Sequence, residues 1–331
     1  MSLITLDRFI LQSEQAHPAA TGELSQLLMR FGLAGKQIAR ELAVAGLKRE
    51  LGSAHTTNVQ GEEQKKLDVL ANEILLETFD YGGLVSLAAS EEMEEPFLYT
   101  RSTETGSYAI FFDPMDGSSN IDVNGTLGTI FSVRRRKDGP DAFLGVGHDQ
   151  ISAGYILFGP ATVLVYSCGD GVHLFTLDPS IGEFLLTRET VRMPARGRGF
   201  AVNEGRWSGW TPEVRAFTEY LKEKDPETGR PYSTRYSGSL VGDFHRILLE
   251  GGVYYYPADT LGGKPQGKLR LLYESQPLAF LAEQAGGRAS TGKERILDIR
   301  VEALHQRSPL VIGSMSEVTL FERFVRGEGA P

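Results

Sequence analysis

The sequence predicts a mixed α/β fold in two domains, on three observations. Helix and strand signals interleave along the chain instead of segregating into blocks. The 331 residues are more than one domain usually holds. A basic, glycine-rich stretch, Pro194-Ala195-Arg196-Gly197-Arg198-Gly199, breaks the periodic segments. It divides the chain into residues 1–193 and 194–331.

The elements follow in order. Thr21-Gly22-Glu23 opens a helix whose apolar stripe is Leu24, Leu27, Leu28 and Phe31. After Gly32 and Gly35 the stripe continues through Ile38, Leu42 and Ala45. Residues 46–66 are polar and aperiodic, and read equally as a mobile lid or an ordinary connector. Leu67, Leu70 and Ile74 resume helical spacing. Short apolar runs then read as strands: Tyr108 to Phe112, ending at Asp113, then Thr129 to Val133 and Thr162 to Tyr166. Beyond the boundary, Pro212 to Leu221, Asp243 to Glu250 and Pro277 to Ala285 read as helices, the last stopped by Gly286-Gly287.

Composition narrows the class of function. With 41% apolar and 23% charged residues the chain can bury a large core. Its net charge of −9 argues against nucleic acid or an acidic membrane as a general partner. An anionic ligand must be held by local Lys and Arg, or by metal ions that reverse the local sign. The single cysteine, Cys168, ends an apolar run and reads as a buried structural thiol. An internal disulfide is excluded, which fits a reducing compartment. No apolar run of roughly 18 residues predicts a membrane span, and no secretion signal is read at Met1 to Arg8. The cytoplasm is the expected location.

Chemistry concentrates in three places. Asp113-Pro114-Met115-Asp116-Gly117-Ser118-Ser119-Asn120 follows directly on an apolar strand. Pro114 fixes φ and favours a turn on which both aspartates converge. Two carboxylates and an exposed carbonyl suit a hard divalent cation. Gly117, Ser118 and Ser119 then offer N–H groups and hydroxyls to an anion. Glu91 and Glu92 end the run Leu84 to Ala89, and a two-ion site needs several bridging carboxylates. Glu94 and Glu95 read as solvated. Lys268, Arg270 and Glu274 sit on an otherwise apolar stretch, where charges are costly without partners. A metal-dependent phosphatase would use all three.

Together these motifs resemble the class I fructose-1,6-bisphosphatases. Asp-Pro-x-Asp-Gly-Ser alone is shared with the inositol monophosphatases. Other segments narrow the resemblance: Lys65 to Leu70, Ile181-Gly182-Glu183-Phe184, Asn203-Glu204-Gly205, Tyr254 to Ala258, Gly267 to Glu274, and Thr291-Gly292-Lys293-Glu294. They run in order from about Thr21 to the C-terminal end.

The resemblance implies an α/β (α+β) layered sandwich of the sugar-phosphatase type, with mixed sheets covered by helices, assembled as a homotetramer. It implies two or three Mg²⁺ ions per subunit, with Mn²⁺ as a substitute, on Glu91, Glu92, Asp113, Asp116, Glu274 and the Met115 carbonyl. Asp68 and Glu92 would orient and deprotonate the attacking water. Glu62 stands where the family has an aspartate on a mobile loop. Gly117, Ser118 and Ser119 would cradle the 1-phosphate. Asn203, Tyr236, Tyr256 and Lys268, with Arg270, would serve the 6-phosphate and sugar. Arg235 would reach the active site of a neighbouring subunit. Arg206 replaces a tyrosine that the family often has. Thr21, Gly22, Glu23, Ser25, Tyr108 and Arg135 match the family's site for inhibitory AMP, but Ser107 replaces the lysine before that tyrosine. The substrate reading is fructose-1,6-bisphosphate, with sedoheptulose-1,7-bisphosphate as the near alternative. An inositol phosphate and a non-catalytic sugar-phosphate sensor are more distant ones. The basic run Arg134 to Lys137 reads as a solvated hairpin end or an anion site.

Overall fold

Tyr108 to Phe112 is apolar without alternation because both faces of its strand are covered. Tyr108, Ile110 and Phe112 pack with the N-terminal helices, and Ala109 and Phe111 pack on the opposite side. The computed structural model describes residues 3–48, 51–57, 63–100, 105–137, 144–260, 263 and 265–330. Within these the strand joins an eight-stranded sheet. The spatial order is Glu183–Val191, Val172–Asp178, Thr162–Ser167, Gln150–Phe158, Leu127–Arg135, Tyr108–Asp116, Val85–Ser90, Phe97–Leu98. All neighbours are antiparallel except Val85–Ser90 beside Tyr108–Asp116.

Helices α1 (Leu6–Gln15), α2 (Glu23–Lys48) and α3 (Lys66–Phe79) cover one face of this sheet. α2 follows the predicted stripe, burying Leu27, Leu28, Phe31, Ile38 and Ala45. Two glycines inside α2 have a packing reason. A Cβ on Gly32 would come within 2.7 Å of Leu6, and one on Gly35 within 2.6 Å of Ile156. The helix therefore lies closer to α1 and to the sheet than alanine would allow. Phe31 stacks on Phe131 with ring centroids 3.9 Å apart.

The second sheet has five strands, ordered Ser233–Thr234, Gly199–Ala201, Val253–Tyr256, Leu310–Gly313, Arg288–Ser290. Between the two sheets lie α5 (Leu240–Glu250) and α6 (Gln276–Gln284). Val241, Phe244 and Leu248 of α5 and Leu278 and Leu281 of α6 share one core with Ile130 and Tyr155 on one side and Tyr254 and Ile312 on the other. α4 (Pro212–Lys222) and α7 (Met315–Val325) close the outer face around Phe217, Tyr255 and Phe321. The result is five layers, alternately helix and sheet. Among the described residues no helix is long and apolar enough to cross a membrane.

Several sequence expectations shift. The polar segment 46–66 contains an antiparallel pair, Ser53–Thr57 with Glu63–Lys65. Its polar residues carry no apolar alternation by which strands are read. α5 starts at Leu240, three residues before the expected Asp243, because Ser239 caps it and accepts the Gly242 N–H at 3.1 Å. Cys168 lies just past the strand Thr162–Ser167 and is half-buried against a cavity, not enclosed in the core.

Candidate active site

The strand Tyr108–Asp116 runs on through Pro114 instead of turning at it. Its pairing with Leu127–Arg135 slips between Asp113 and Asp116, and this irregularity accommodates a residue without an N–H. The Thr129 hydroxyl donates to the Pro114 carbonyl at 2.8 Å. The Met115 N–H donates to Asp113 Oδ1 at 3.0 Å and fixes that carboxylate. At Gly117 the chain turns with φ +79° into the 3₁₀ turn Ser118–Val123.

Glu91 follows the neighbouring strand, where its N–H donates to the Phe112 carbonyl at 3.1 Å. Glu274 comes from a π-helical turn, Leu271–Ser275, between the strand Leu269–Arg270 and α6. Three separate elements thus bring Glu91, Asp113 and Glu274 together, each with a carboxylate oxygen within 4.8 Å of the others. Asp113 and Glu274 each expose only 5% of their surface.

Such a cluster cannot hold three bare charges. Desolvation, then repulsion from Glu91, Asp116 and Glu274, pushes the Asp113 carboxyl well above its ordinary range. Desolvation and Glu91 raise Glu274 to about 8. The Arg270 guanidinium lies 3.1 Å from Glu91 and offsets part of the charge. The Arg270 N–H also donates to Glu274. Buried carboxylate oxygens converging on one point fit a hard divalent cation, which would relieve the repulsion.

Asp68 and Glu92 flank the cluster. Asp68 sits in the first turn of α3, and its Oδ2 accepts the Lys65 N–H at 2.9 Å. Burial, then Glu92 and Glu91, raises its carboxyl to about 7. Glu92 is half-buried and accepts a hydrogen bond from Gln64 at 2.7 Å. Glu94 and Glu95 are exposed, as expected. Glu62 lies outside the described residues.

Asp116 is held by the opposite half of the chain. Ser239 Oγ donates to its Oδ2 at 2.6 Å, the Val241 N–H to the same oxygen at 2.8 Å, and the Leu240 N–H to Oδ1 at 3.1 Å. Desolvation still raises its carboxyl, while these donors and Lys268 pull it down. Sequence reading missed Ser239. Its cap signature precedes an apolar run and was legible, but its partner across the fold was not.

Beside this centre a narrow cleft is lined by Asn203, Arg206, Tyr256, Asp259 and Lys268, among others. Arg206 lies 3.7 Å from Asp259. Tyr236 shares a hydrogen bond with the Asn203 amide, and burial raises its phenol to about 12. Arg235 faces elsewhere. It lines a recess of about 380 Å³ with Arg198 and Arg246, and donates to the Thr234 carbonyl at 2.8 Å.

A third cavity, of about 350 Å³, lies between α1, α2 and the sheet. Thr21, Gly22, Glu23, Ser25, Tyr108 and Arg135 all line it, with Cys168 and His173. Arg135 donates to the Tyr108 hydroxyl at 3.1 Å.

Comparison with known proteins accounts for the arrangement. Residues 4–189 match the family model for the fructose-1,6-bisphosphatase N-terminal domain, and residues 193–326 match the model for its C-terminal domain. The fructose-1,6-bisphosphatase class 1 of Chlorobium luteolum is 50% identical over 98% of both chains. That of Trichodesmium erythraeum is 49% identical over 97% of this chain and 90% of its own. The crystal structure of Leishmania major fructose-1,6-bisphosphatase in holo form superposes with a TM-score of 0.91 at 39% identity, covering 98% of this chain and all of the other. The T-state structure of the same enzyme gives 0.86 at 38% identity, covering 98% and 99%. The chain therefore belongs to the class I fructose-1,6-bisphosphatases.

Proposed function

We propose that this chain hydrolyses fructose-1,6-bisphosphate to fructose-6-phosphate and phosphate, with Mg²⁺ held by Glu91, Glu92, Asp113, Asp116, Glu274 and the Met115 carbonyl. One observation carries the reading: three buried carboxylates from separate elements converge beside a cleft lined by Lys268. Bound divalent cations supply charge neutralisation and a more acidic water.

The chain's own groups do the rest. Asp68, titrating at about 7, is suited to accept a proton from the attacking water, with Glu92 beside it to orient that water. Gly117, Ser118 and Ser119 hold the 1-phosphate with N–H groups and hydroxyls at the start of the 3₁₀ turn. Lys268, Tyr256 and Asn203 of the cleft, with Tyr236 hydrogen-bonded to Asn203, bind the 6-phosphate end, and Arg206 adds a cation where the family often has tyrosine. Arg270 pairs with Glu91 at 3.1 Å and offsets part of the cluster's charge. Arg235, turned away from its own cleft, serves a neighbouring subunit of a homotetramer. A lone cysteine supports action in a reducing cytoplasm.

The test is phosphate release from fructose-1,6-bisphosphate with Mg²⁺, run beside sedoheptulose-1,7-bisphosphate and inositol-1-phosphate. Turnover of the fructose compound that stops with chelator is expected. Absence of turnover on every substrate, with Mg²⁺ and with Mn²⁺, would reject catalysis and leave a sugar-phosphate sensor.

A further inference from the structure

We infer that Ser239 is a positioning residue that aims Asp116 at the metal centre, and that α5 thereby joins the sugar-binding half of the chain to the metal-binding half. The inference rests on the phosphatase reading above.

Ser239 is fully buried. Its Oγ accepts the Gly242 N–H at 3.1 Å, so its single proton is free for Asp116 Oδ2, 2.6 Å away. That hydroxyl and the N–H groups of Leu240 and Val241 make three donors on one carboxylate. All come from the first turn of an eleven-residue helix, where unpaired N–H groups and the helix dipole favour negative charge. Val241 and Ser239 occupy Oδ2, while among the described residues Oδ1 takes the Leu240 N–H alone and keeps lone-pair capacity for a cation. Two strand neighbours could not fix that orientation, because Asp116 stands at the very end of its strand.

The same turn holds the sugar side. Both Asp243 oxygens accept the Ser237 N–H, at 3.0 and 3.1 Å, one residue after Tyr236. Gly117 packs against the assembly with no room to spare: a Cβ there would come within 2.9 Å of the Ser239 Cβ. One helix start therefore touches the metal ligand, the anion turn and the loop carrying Tyr236. Partners that orient metal ligands typically change metal affinity 10–100-fold when removed.

The experiment is Mn²⁺ binding to chelator-stripped protein, read by electron paramagnetic resonance, for wild type, Ser239→Ala, Asp116→Asn and the double variant, with circular dichroism as the folding control. Ser239→Ala should weaken Mn²⁺ binding by about 10–100-fold. It should add nothing further in the Asp116→Asn background. Should the alanine variant not fold, Ser239→Cys, of similar volume but a poor donor, should show the same loss. Folded Ser239→Ala or Ser239→Cys with wild-type Mn²⁺ affinity overturns the inference, and so does an equal further loss on top of Asp116→Asn. Wild type that binds no Mn²⁺ would instead overturn the phosphatase reading.

Discussion

Arg270 and Glu91 form an ion pair at 3.1 Å, with side chains that expose 3% and 10% of their surface. The guanidinium stands against a cluster of carboxylates that outnumbers it. Removing one partner of a buried pair costs about 3–5 kcal/mol, mainly by stranding the other charge. Arg270→Met should therefore destabilise the metal-free protein by about that amount in urea unfolding. Added Mg²⁺ should restore more stability to the variant than to wild type. Equal urea midpoints for the two metal-free proteins would contradict the role given to Arg270.

Stability of the metal-free protein should fall as pH rises. Glu274 and Asp68 titrate at about 8 and about 7 in the fold, above the ~4 of unfolded carboxylates. Folding thus favours their protonated forms. That contribution is full below about 4 and is lost as pH climbs through 7 and 8. Melting temperatures in chelator should drop between pH 6 and pH 9, and the rise produced by Mg²⁺ should be larger at pH 9. A flat profile in chelator would show that the cluster holds no shifted protons.

Activity and stability should separate at Asp113. Asp113→Asn removes a carboxyl whose ionisation is disfavoured by burial and by Glu91, Asp116 and Glu274. If Asp113 holds the cation as proposed, the change should lower kcat by about 100-fold or more. It should also raise the metal-free melting temperature by about 2–4 °C, the response to roughly 1 kcal/mol in a large domain. A variant both inactive and less stable in chelator would argue that Asp113 is structural.

Inhibition by AMP should be weak. In the α1–α2 cavity Arg135 is shared with Tyr108, whose hydroxyl also meets Glu23. Ser107 supplies no second cation next to Tyr108. A charge-assisted hydrogen bond to phosphate is worth roughly 1–3 kcal/mol. Ser107→Lys should tighten AMP inhibition by about 10–100-fold, read from inhibition curves. Tight inhibition of wild type would mean that other groups in the cavity replace the lysine.

The sequence was most legible where function is packed into a short stretch. Asp113, Asp116, Gly117 and Ser118 fall within six positions, so their chemistry could be read before any fold was known. The stripe of α2 was equally plain, since Leu27, Phe31, Ile38 and Ala45 keep a helical period. Pro114 misled, because a strand irregularity absorbed it where a turn was expected. The strand pair Ser53–Thr57 and Glu63–Lys65 was opaque, because its sequence carries no apolar alternation. Ser239 could be read as a helix cap but not as the partner of Asp116, because the two lie 123 positions apart.

That separation carries a consequence for the nascent chain. By the time Asp113 and Asp116 have left the ribosome, neither Ser239 nor Glu274 has been translated. The first half carries the eight-stranded sheet and the helices of one face, but it cannot assemble the complete carboxylate set or grip Asp116. A partly made chain is thereby poorly equipped to trap divalent ions or attack cellular phosphate esters, and hydrolytic competence arrives only with the closing third of synthesis.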